Sequence, residues 1–244
     1  MNYNEYTSAT LNNETTEKIK IRRRVFTGNE PHDISLADAS LLTKRFRDSV
    51  AEDAIKGGFF GRLAFEKILV QDGCVGIRCY FAAFDDGSPT IVMTGVTREG
   101  NDIWDGVISE DMAPCPPFCG VTNSLNSDVS EETLTFDRTR TMFTGNENHL
   151  VTIAEASRYT RNFRSAKDET AIKGGYISRN AFEKILAQTG CVGIRMYFAL
   201  NEDGTPTLVS VGVTSNGNDI FDGMISEDMA PCPPFCGKQN PLNT

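Results

Sequence analysis

The chain carries one long sequence twice, and this repetition limits its possible folds more than any other feature. Residues 26–120 align with residues 143–237 without a gap, and roughly two thirds of the aligned positions are identical. The motif MAPCPPFCG closes both copies. Because each copy is longer than the roughly 20–50 residues of a solenoid repeat, we expect each copy to bury its own core. The sequence therefore predicts an internal pseudo-dimer.

The repetition divides the 244-residue chain into five segments. We predict a flexible N-terminal segment at 1–15, a first α+β repeat at 16–120, a linker at 121–132, a second α+β repeat at 133–237 and a C-terminal tail at 238–244. Each repeat has the size of a small domain.

Hydrophobic periodicity predicts the same elements in both repeats. A strand precedes the shared FTGNE motif, and Ser35 and Thr152 are the predicted N-caps of the first helix. A second helix follows a Gly-Gly pair, with Ala64, Phe65 and Ile68 on its inner face. A two-stranded hairpin with a Gly-containing turn comes next. We predict an α+β fold, a tandem strand–helix–helix–strand–strand unit with an antiparallel sheet, helices on one face and an irregular cysteine-containing tail.

Charge and hydropathy exclude several classes of partner. A formal net charge of −9 argues against binding to nucleic acid or to anionic membranes. No segment approaches the roughly 18 apolar residues of a membrane span, and the first residues lack the apolar region of a signal peptide. We expect a cytoplasmic protein without membrane insertion, with non-classical export left open. The expected partners are copies of the protein itself or another protein, and the sequence identifies no small-molecule ligand.

The predicted strand that starts at Cys74 separates two kinds of cysteine. Side chains alternate along a strand, so Cys79 lies with the core, whereas Cys74 shares the other face with Arg78 and Tyr80. Met196 occupies the position equivalent to Cys79 and cannot form a disulfide. We therefore expect Cys79 to be a buried structural thiol.

The other cysteines and the two histidines form two equivalent sets of potential zinc ligands. These are Cys74, Cys115, Cys119 and His32 in the first repeat, and Cys191, Cys232, Cys236 and His149 in the second. Three thiolates and one imidazole would complete a tetrahedral zinc shell, although their spacing matches no standard zinc finger. Zinc is the one cofactor that the sequence suggests.

The CPPFC loop allows two other interpretations. Thiol redox catalysis is disfavoured because three residues separate the cysteines and no helix begins at the first of them. A Cys115–Cys119 disulfide requires the loop to bend, since an extended chain would span about 13 Å and a disulfide allows roughly 4.4–6.8 Å between α-carbons. A cis bond before Pro116 or Pro117 would provide the bend, and Cys74 offers another partner. In a reducing cytoplasm we expect reduced thiols.

The Pro-Pro-Phe cores of the two loops are the predicted interaction or clasp residues. They are Pro116, Pro117, Phe118, Pro233, Pro234 and Phe235. The stretch GNDIWDGVISEDMAPCPPFCG matches its counterpart at all but two positions, whereas the first helices differ at most positions. This contrast suggests a tail that packs into a defined groove of its own or the neighbouring repeat. A tail that folds back would act as a clasp, and one that projects would be a contact surface.

Acidic residues before the loop invite a calcium hypothesis. They are Asp102, Asp105, Glu110 and Asp111, with Asp219, Asp222, Glu227 and Asp228 in the second repeat. Their spacing fails the EF-hand pattern, because Ile103 or Ile220 occupies position three of the loop and Met112 or Met229 stands where the bidentate glutamate should be. Turn and capping roles are expected instead.

The motifs GCVGIRxYFA, DGxPTxV, GNDI and PCPPFCG together resemble small uncharacterised bacterial proteins with a GC-x-GIR-x-YF strand and a C-terminal Cys-Pro-Pro-aromatic-Cys tail. The resemblance covers most of each repeat. It implies no activity.

No catalytic constellation stands out in the sequence, so an enzyme is not the expected function, although the question stays open. The leading hypothesis is a non-enzymatic structural, assembly or protein-interaction protein, because two equivalent repeats offer two equivalent contacts. A zinc-binding module is the alternative, and a thiol-dependent redox protein is the third hypothesis.

Overall fold

The computed structural model describes residues 24–128, 142–227 and 229–244. Within these ranges the protein is mixed α+β, with four helices and two antiparallel five-stranded sheets. Below, the N-terminal half means the described residues up to 128, and the C-terminal half means those from 142 onward. The strands predicted before the two FTGNE motifs lie almost entirely outside the described residues.

The two halves contain the same elements in the same order. The N-terminal half has α1 (Leu36–Ser49), β1 (Gly57–Gly61), α2 (Arg62–Leu69), β2 (Cys74–Ala83), β3 (Pro89–Thr97), β4 (Ile108–Ser109) and β5 (Ala113–Cys115). The C-terminal half has α3 (Ile153–Ser165), β6 (Gly174–Ser178), α4 (Arg179–Leu186), β7 (Cys191–Leu200), β8 (Pro206–Thr214), β9 (Ile225–Ser226) and β10 (Ala230–Cys232). None of the described helices is long and apolar enough to cross a membrane.

Local sequence signals placed the helices and the hairpins correctly. The Ser35 side chain accepts a hydrogen bond from the backbone N–H of Asp38 at 3.1 Å, and Thr152 forms a capping box with Glu155. The predicted inner face of α2 is buried, and β2 and β3 form the expected hairpin. These features depend on residues close together in the chain, so one sequence window contains the signal.

The Gly-Gly pair does not lead directly into the second helix, although the sequence predicts that it does. It begins β1, a strand that is buried along its whole length. A Cβ atom on Gly57 would lie 2.2 Å from the carbonyl oxygen of Met196, so glycine is needed for the close approach of β7. The order in each half is therefore helix, strand, helix, strand, strand, and the tail contains two short strands.

Each sheet combines strands from both halves. Sheet 1 has the order β5-β1-β7-β8-β9, and sheet 2 has the order β10-β6-β2-β3-β4. β1 pairs with β7 from Gly57 opposite Tyr197 to Gly61 opposite Gly193, and β6 pairs with β2 in the same register. The two halves are therefore interlocked through their backbones.

The largest buried cluster also draws on both halves. It joins Ile77 and Phe81 of β2 to Ile194 and Phe198 of β7, together with the inner faces of α2 and α4. α1 packs on the opposite face of sheet 1 and α3 on the opposite face of sheet 2, so the helices do not lie together on one face as predicted. We expected each repeat to bury its own core, whereas this core is shared. The boundaries at 16–120 and 133–237 remain a prediction.

Cys79 is a buried structural thiol, as predicted. Its side chain is fully buried, and its Sγ lies 4.0 Å from the Sδ of Met196. Burial raises the pKa of the Cys79 thiol to about 12, although the Arg78 charge opposes this shift. The thiol is therefore protonated at physiological pH.

Cys74 does not lie on the predicted face. The pairing of β2 with β3 shifts register between Cys74 and Gly76, so the alternation of side chains breaks there. Cys74 joins the inner cluster with Ile77, while Tyr80 lies on the outer face of sheet 2. A β-bulge leaves no clear mark in the hydrophobic pattern, which is why sequence reasoning missed it.

The first FTGNE motif forms a turn that docks on the C-terminal half. The Thr27 backbone N–H donates to Oε1 of Glu30 at 2.6 Å, and the Phe26 ring stacks on Tyr176 with centroids 3.8 Å apart. The Tyr176 hydroxyl lies 3.1 Å from Oε2 of Glu30 and 3.0 Å from the carbonyl oxygen of Val75. The Tyr176 hydroxyl thus links this turn to the C-terminal half.

The second FTGNE turn lacks one of these hydrogen bonds. Phe143 stacks on Phe59 with the same centroid distance of 3.8 Å, and Phe59 occupies the position of Tyr176. Phenylalanine has no hydroxyl, and Oε2 of Glu147 is buried without a hydrogen-bond partner among the described residues. An unsatisfied buried acceptor lowers stability.

The two turns predict opposite effects for exchanging these aromatic residues. Phe59→Tyr should raise the free energy of unfolding by about 1 kcal/mol, because the new hydroxyl reaches Glu147, and Tyr176→Phe should lower it by at least as much. Urea denaturation under non-reducing conditions measures both. A destabilising Phe59→Tyr would show that the second turn has no room for the hydroxyl.

Candidate functional site

Both CPPFC loops are closed by disulfides. The Cys115–Cys119 and Cys232–Cys236 bonds each join α-carbons 4.7 Å apart. The peptide bonds before Pro116 and Pro117 are cis, as are their counterparts in the second loop. The expectation of reduced thiols is therefore wrong, and the bent, cross-linked alternative is the observed one.

Each closed loop packs on a strand of the other half. Cys115 is fully buried against the outer face of sheet 1, beside Tyr197 and Val209. The carbonyl oxygen of Phe118 accepts a hydrogen bond from Nη2 of Arg195 at 3.0 Å. The tail thus folds back, but onto the strand of the neighbouring half.

The second loop makes the same contacts with the first half. Cys232 is buried on the outer face of sheet 2 beside Tyr80. The carbonyl oxygen of Phe235 accepts from Nη2 of Arg78 at 3.0 Å. We call each loop, together with the arginine it contacts, a clasp.

A buried ion pair lies at the centre of the first clasp. Arg195 and Asp219 are paired, and neither side chain is exposed to solvent. Oδ2 of Asp219 accepts from the Tyr197 hydroxyl at 2.7 Å and from Nδ2 of Asn123 at 2.8 Å. Arg195 also donates to the carbonyl oxygen of Gly217 at 3.1 Å. This network satisfies most of the buried charge.

The second clasp repeats this network. Arg78 pairs with Asp102, and both side chains are buried. Oδ2 of Asp102 accepts from the Tyr80 hydroxyl at 2.6 Å and from Nδ2 of Asn240 at 2.7 Å. In both clasps the asparagine and the Phe carbonyl come from one half, and the Arg, Asp and Tyr come from the other.

Burial and the neighbouring charges together set the pKa values of the clasp arginines and tyrosines. Burial opposes charge on Arg195, but the Asp219 carboxylate and Tyr197 hold the pKa of Arg195 above its ordinary value. Burial, reinforced by the nearby carboxylate, raises the pKa of Tyr197 well above its ordinary value. The same directions apply to Arg78 and Tyr80. The arginine stays charged and the tyrosine stays a hydrogen-bond donor.

The two histidines join the halves. Nδ1 of His149 donates to the carbonyl oxygen of Asp111 at 2.8 Å, and the Gly61 N–H donates to Nε2 at 2.9 Å. His32 contacts the carbonyl oxygen of Glu227 at 3.0 Å and the Ser178 N–H at 3.1 Å. Because a carbonyl only accepts and a backbone N–H only donates, the proton is assigned to Nδ1. Both ring nitrogens are thus used within the fold.

The structure does not gather the predicted zinc ligands. Cys74 and Cys191 face the inner cluster, and their Sγ atoms contact the carbonyl oxygens of Gly76 and Gly193. The loop cysteines lie on the outer faces and are bonded to each other. Among the described residues, no three or more His, Cys, Asp or Glu side chains are placed to hold a metal ion.

The acidic residues before the loops have different roles. Asp102 and Asp219 neutralise the clasp arginines. Glu110 accepts a hydrogen bond from the Thr90 hydroxyl, and burial raises its pKa although this hydrogen bond opposes the shift. These contacts are ion pairs and a side-chain hydrogen bond, and not the turn and capping roles expected from the sequence. Asp228 lies outside the described residues.

Sequence reasoning missed the residues that follow each loop. Leu125 and Leu242 are fully buried, and Asn123 and Asn240 bind the clasp carboxylates. These residues fall in the predicted linker and the predicted C-terminal tail. An N-x-L-N pattern at 123–126 and again at 240–243 was the available signal, because the repetition continues past the last cysteine.

Comparison of the chain with protein-family models, with curated proteins and with solved structures finds no match. The function must therefore be inferred from the geometry. That geometry holds two halves together and leaves its three free cysteines buried.

The disulfide assignment predicts a thiol count. In denaturant without reductant, three thiols should react with a thiol reagent, because only Cys74, Cys79 and Cys191 are free. After reduction all seven should react. Native protein should react slowly, since the free thiols are buried. Seven reactive thiols without reductant would overturn the disulfides.

The buried ion pair predicts a large cost for removing one charge. Asp219→Asn should lower the free energy of unfolding by about 3–5 kcal/mol, because Arg195 is left buried without a counter-charge. Asp222→Asn is the control, since Asp222 is exposed in the same loop and its change should cost less than about 0.5 kcal/mol. Urea denaturation distinguishes the two, and equal effects would contradict a central role for the ion pair.

Proposed function

We propose that the protein is a non-enzymatic structural protein that assembles with copies of itself, built as a pseudo-dimer by duplication of one α+β unit. The observation that carries this proposal is the reciprocity of the two clasps. Each half supplies a loop and an asparagine to the other half and receives the same groups in return. This is how two identical subunits contact each other across a two-fold axis.

Contacts between equivalent positions support the pseudo-dimer. Cys79 touches its counterpart Met196, and the rings of Phe65 and Phe182 lie 5.3 Å apart. Residues on a two-fold axis meet their own equivalents, whereas residues away from the axis do not. A chain duplicated from a homodimer would contain such pairs.

A non-enzymatic role is supported by the use of the polar groups. The buried arginines, carboxylates, tyrosines and histidines bind one another or the backbone, and the loop cysteines form disulfides. A catalytic group must be able to reach substrate. The buried polar groups and the loop cysteines thus stabilise the fold and the contact between the halves.

The outer surfaces of the halves differ more than their interior contacts. Leu41 on α1 and Val121 beside the first loop are exposed apolar residues, and Arg158 and Lys238 occupy the equivalent positions. The Ser40 and Ser124 hydroxyls are hydrogen-bonded at 2.8 Å, so α1 and the segment after the loop are adjacent. Exposed apolar residues on these adjacent segments, replaced by charged residues in the other half, make the α1 layer of the N-terminal half a candidate protein contact.

The disulfides support an oxidising location. Persistent structural disulfides are rare in a reducing cytoplasm. We therefore favour an oxidising compartment over the cytoplasmic location expected from the sequence.

Mass photometry and native mass spectrometry from nanomolar to about 100 μM protein test self-assembly. Wild type should form oligomers as the concentration rises. Leu41→Arg combined with Val121→Lys, which copies the C-terminal surface, should weaken any assembly through the α1 layer. Val70→Arg is the control, because Val70 is exposed on the turn after α2. Wild type that stays monomeric throughout would contradict the proposed function.

A further inference from the structure

We propose that the halves exchange between chains, so that the N-terminal half of one copy interlocks with the C-terminal half of a second copy. The product is a closed dimer that contains every contact of the monomer twice. The proposal rests on the proposed self-assembly and names a second surface for it besides the α1 layer. That surface is the interface between the halves, and its partner is the opposite half of another copy.

The contacts between the halves form a complete interface. β1 pairs with β7 and β6 with β2, each over five residue pairs. Nη2 of Arg62 donates to the carbonyl oxygen of Cys191 at 2.7 Å, and Arg179 makes the equivalent contact with Cys74 at 2.7 Å. None of these contacts requires both halves to belong to one chain.

No disulfide links the halves. Cys115–Cys119 lies within the N-terminal half, and Cys232–Cys236 lies within the C-terminal half. The polypeptide that connects Asp128 to Met142 is therefore the covalent connection between them. Monomer and exchanged dimer differ in the path of this connection and in the entropy of association.

Side-chain size selects the opposite half as the partner. At the centre of the interface Cys79 of one half meets Met196 of the other. Pairing two N-terminal halves would place two cysteines there and leave a void, whereas pairing two C-terminal halves would place two methionines there and overpack the site. A mixed pair fills the space.

Concentration sets the balance between monomer and dimer. Closure within one chain competes with pairing between chains, and covalently linked partners typically meet at an effective concentration in the millimolar range. Exchange should therefore be minor at micromolar protein. The ratio of dimer to monomer should rise about tenfold for each tenfold rise in protein concentration.

Isotope labelling tests the exchange in the full chain. In the test variant, a protease site replaces residues within 129–141 without changing the length of the chain. Unlabelled and ¹⁵N-labelled samples of this variant are unfolded together in non-reducing urea. They are then refolded together at about 1 mM or about 1 μM and cleaved, and native mass spectrometry weighs the paired halves. We expect pairs of one labelled and one unlabelled half after refolding at the higher concentration, and few at the lower one. A sample cleaved before mixing controls for re-pairing after cleavage.

The outcomes separate this proposal from the proposed function. Paired halves without hybrids at either concentration would overturn the exchange and leave the pseudo-dimer intact. Halves that separate on cleavage would overturn the interlocked interface itself. Oligomers that form without hybrids, and that Leu41→Arg with Val121→Lys weakens, would assign assembly to the α1 layer.

Shortening the connection provides a second measurement. Deleting residues 130–139 should convert the protein largely to dimer, because a short connection opposes closure within one chain. A Gly/Ser segment of the original length in the same place is the matched control and should leave the monomer predominant at micromolar concentration. A folded, monomeric deletion variant would overturn the proposal.

Discussion

The rest of the structure depends on a buried arginine in each half that takes one of its hydrogen-bond acceptors from the other half. Arg195 finds a carboxylate and a carbonyl within its own half, but another acceptor is the Phe118 carbonyl, and the asparagine that holds the carboxylate also comes from the N-terminal half. An arginine buried on a sheet face without these groups would be strongly destabilising. The loop, its disulfide and the segment after it are therefore parts of one arrangement.

Because each sheet contains strands of both halves, each half supplies the loop of one clasp and the arginine of the other. β1 reaches across to β7 because glycine at its start allows the backbones to approach, and β5 then brings the loop to the outer face of the same sheet. The loop consequently meets the arginine of the other half and not that of its own half. The histidines and the FTGNE turns strengthen the same interface from its edges.

The parts of the fold that could be predicted have signals within a few residues. The N-caps at Ser35 and Thr152, the inner face of α2, the hairpins and the buried Cys79 all follow from capping, periodicity and comparison of the two copies.

The contacts of the candidate site were harder to predict from the sequence. Arg78 was placed on the correct face, but nothing near it in the sequence indicates that its partners come from the other copy. Because of the bulge after Cys74, this cysteine lies in the inner cluster, whereas the loop cysteines lie on the outer faces of the sheets.

Comparison of the two copies and local periodicity were enough to find the repetition, the α+β composition, most element positions and the equivalence of the two loops. The three-dimensional arrangement was needed to see which half each strand pairs with, that the loop cysteines bond to each other and not to Cys74, and that both histidines are hydrogen-bonded to the backbone. Two halves that share roughly two thirds of their aligned residues offer the same local pattern for pairing within a half or between halves. The choice is made by contacts far apart in the chain, above all by the buried arginines that need acceptors from the opposite half.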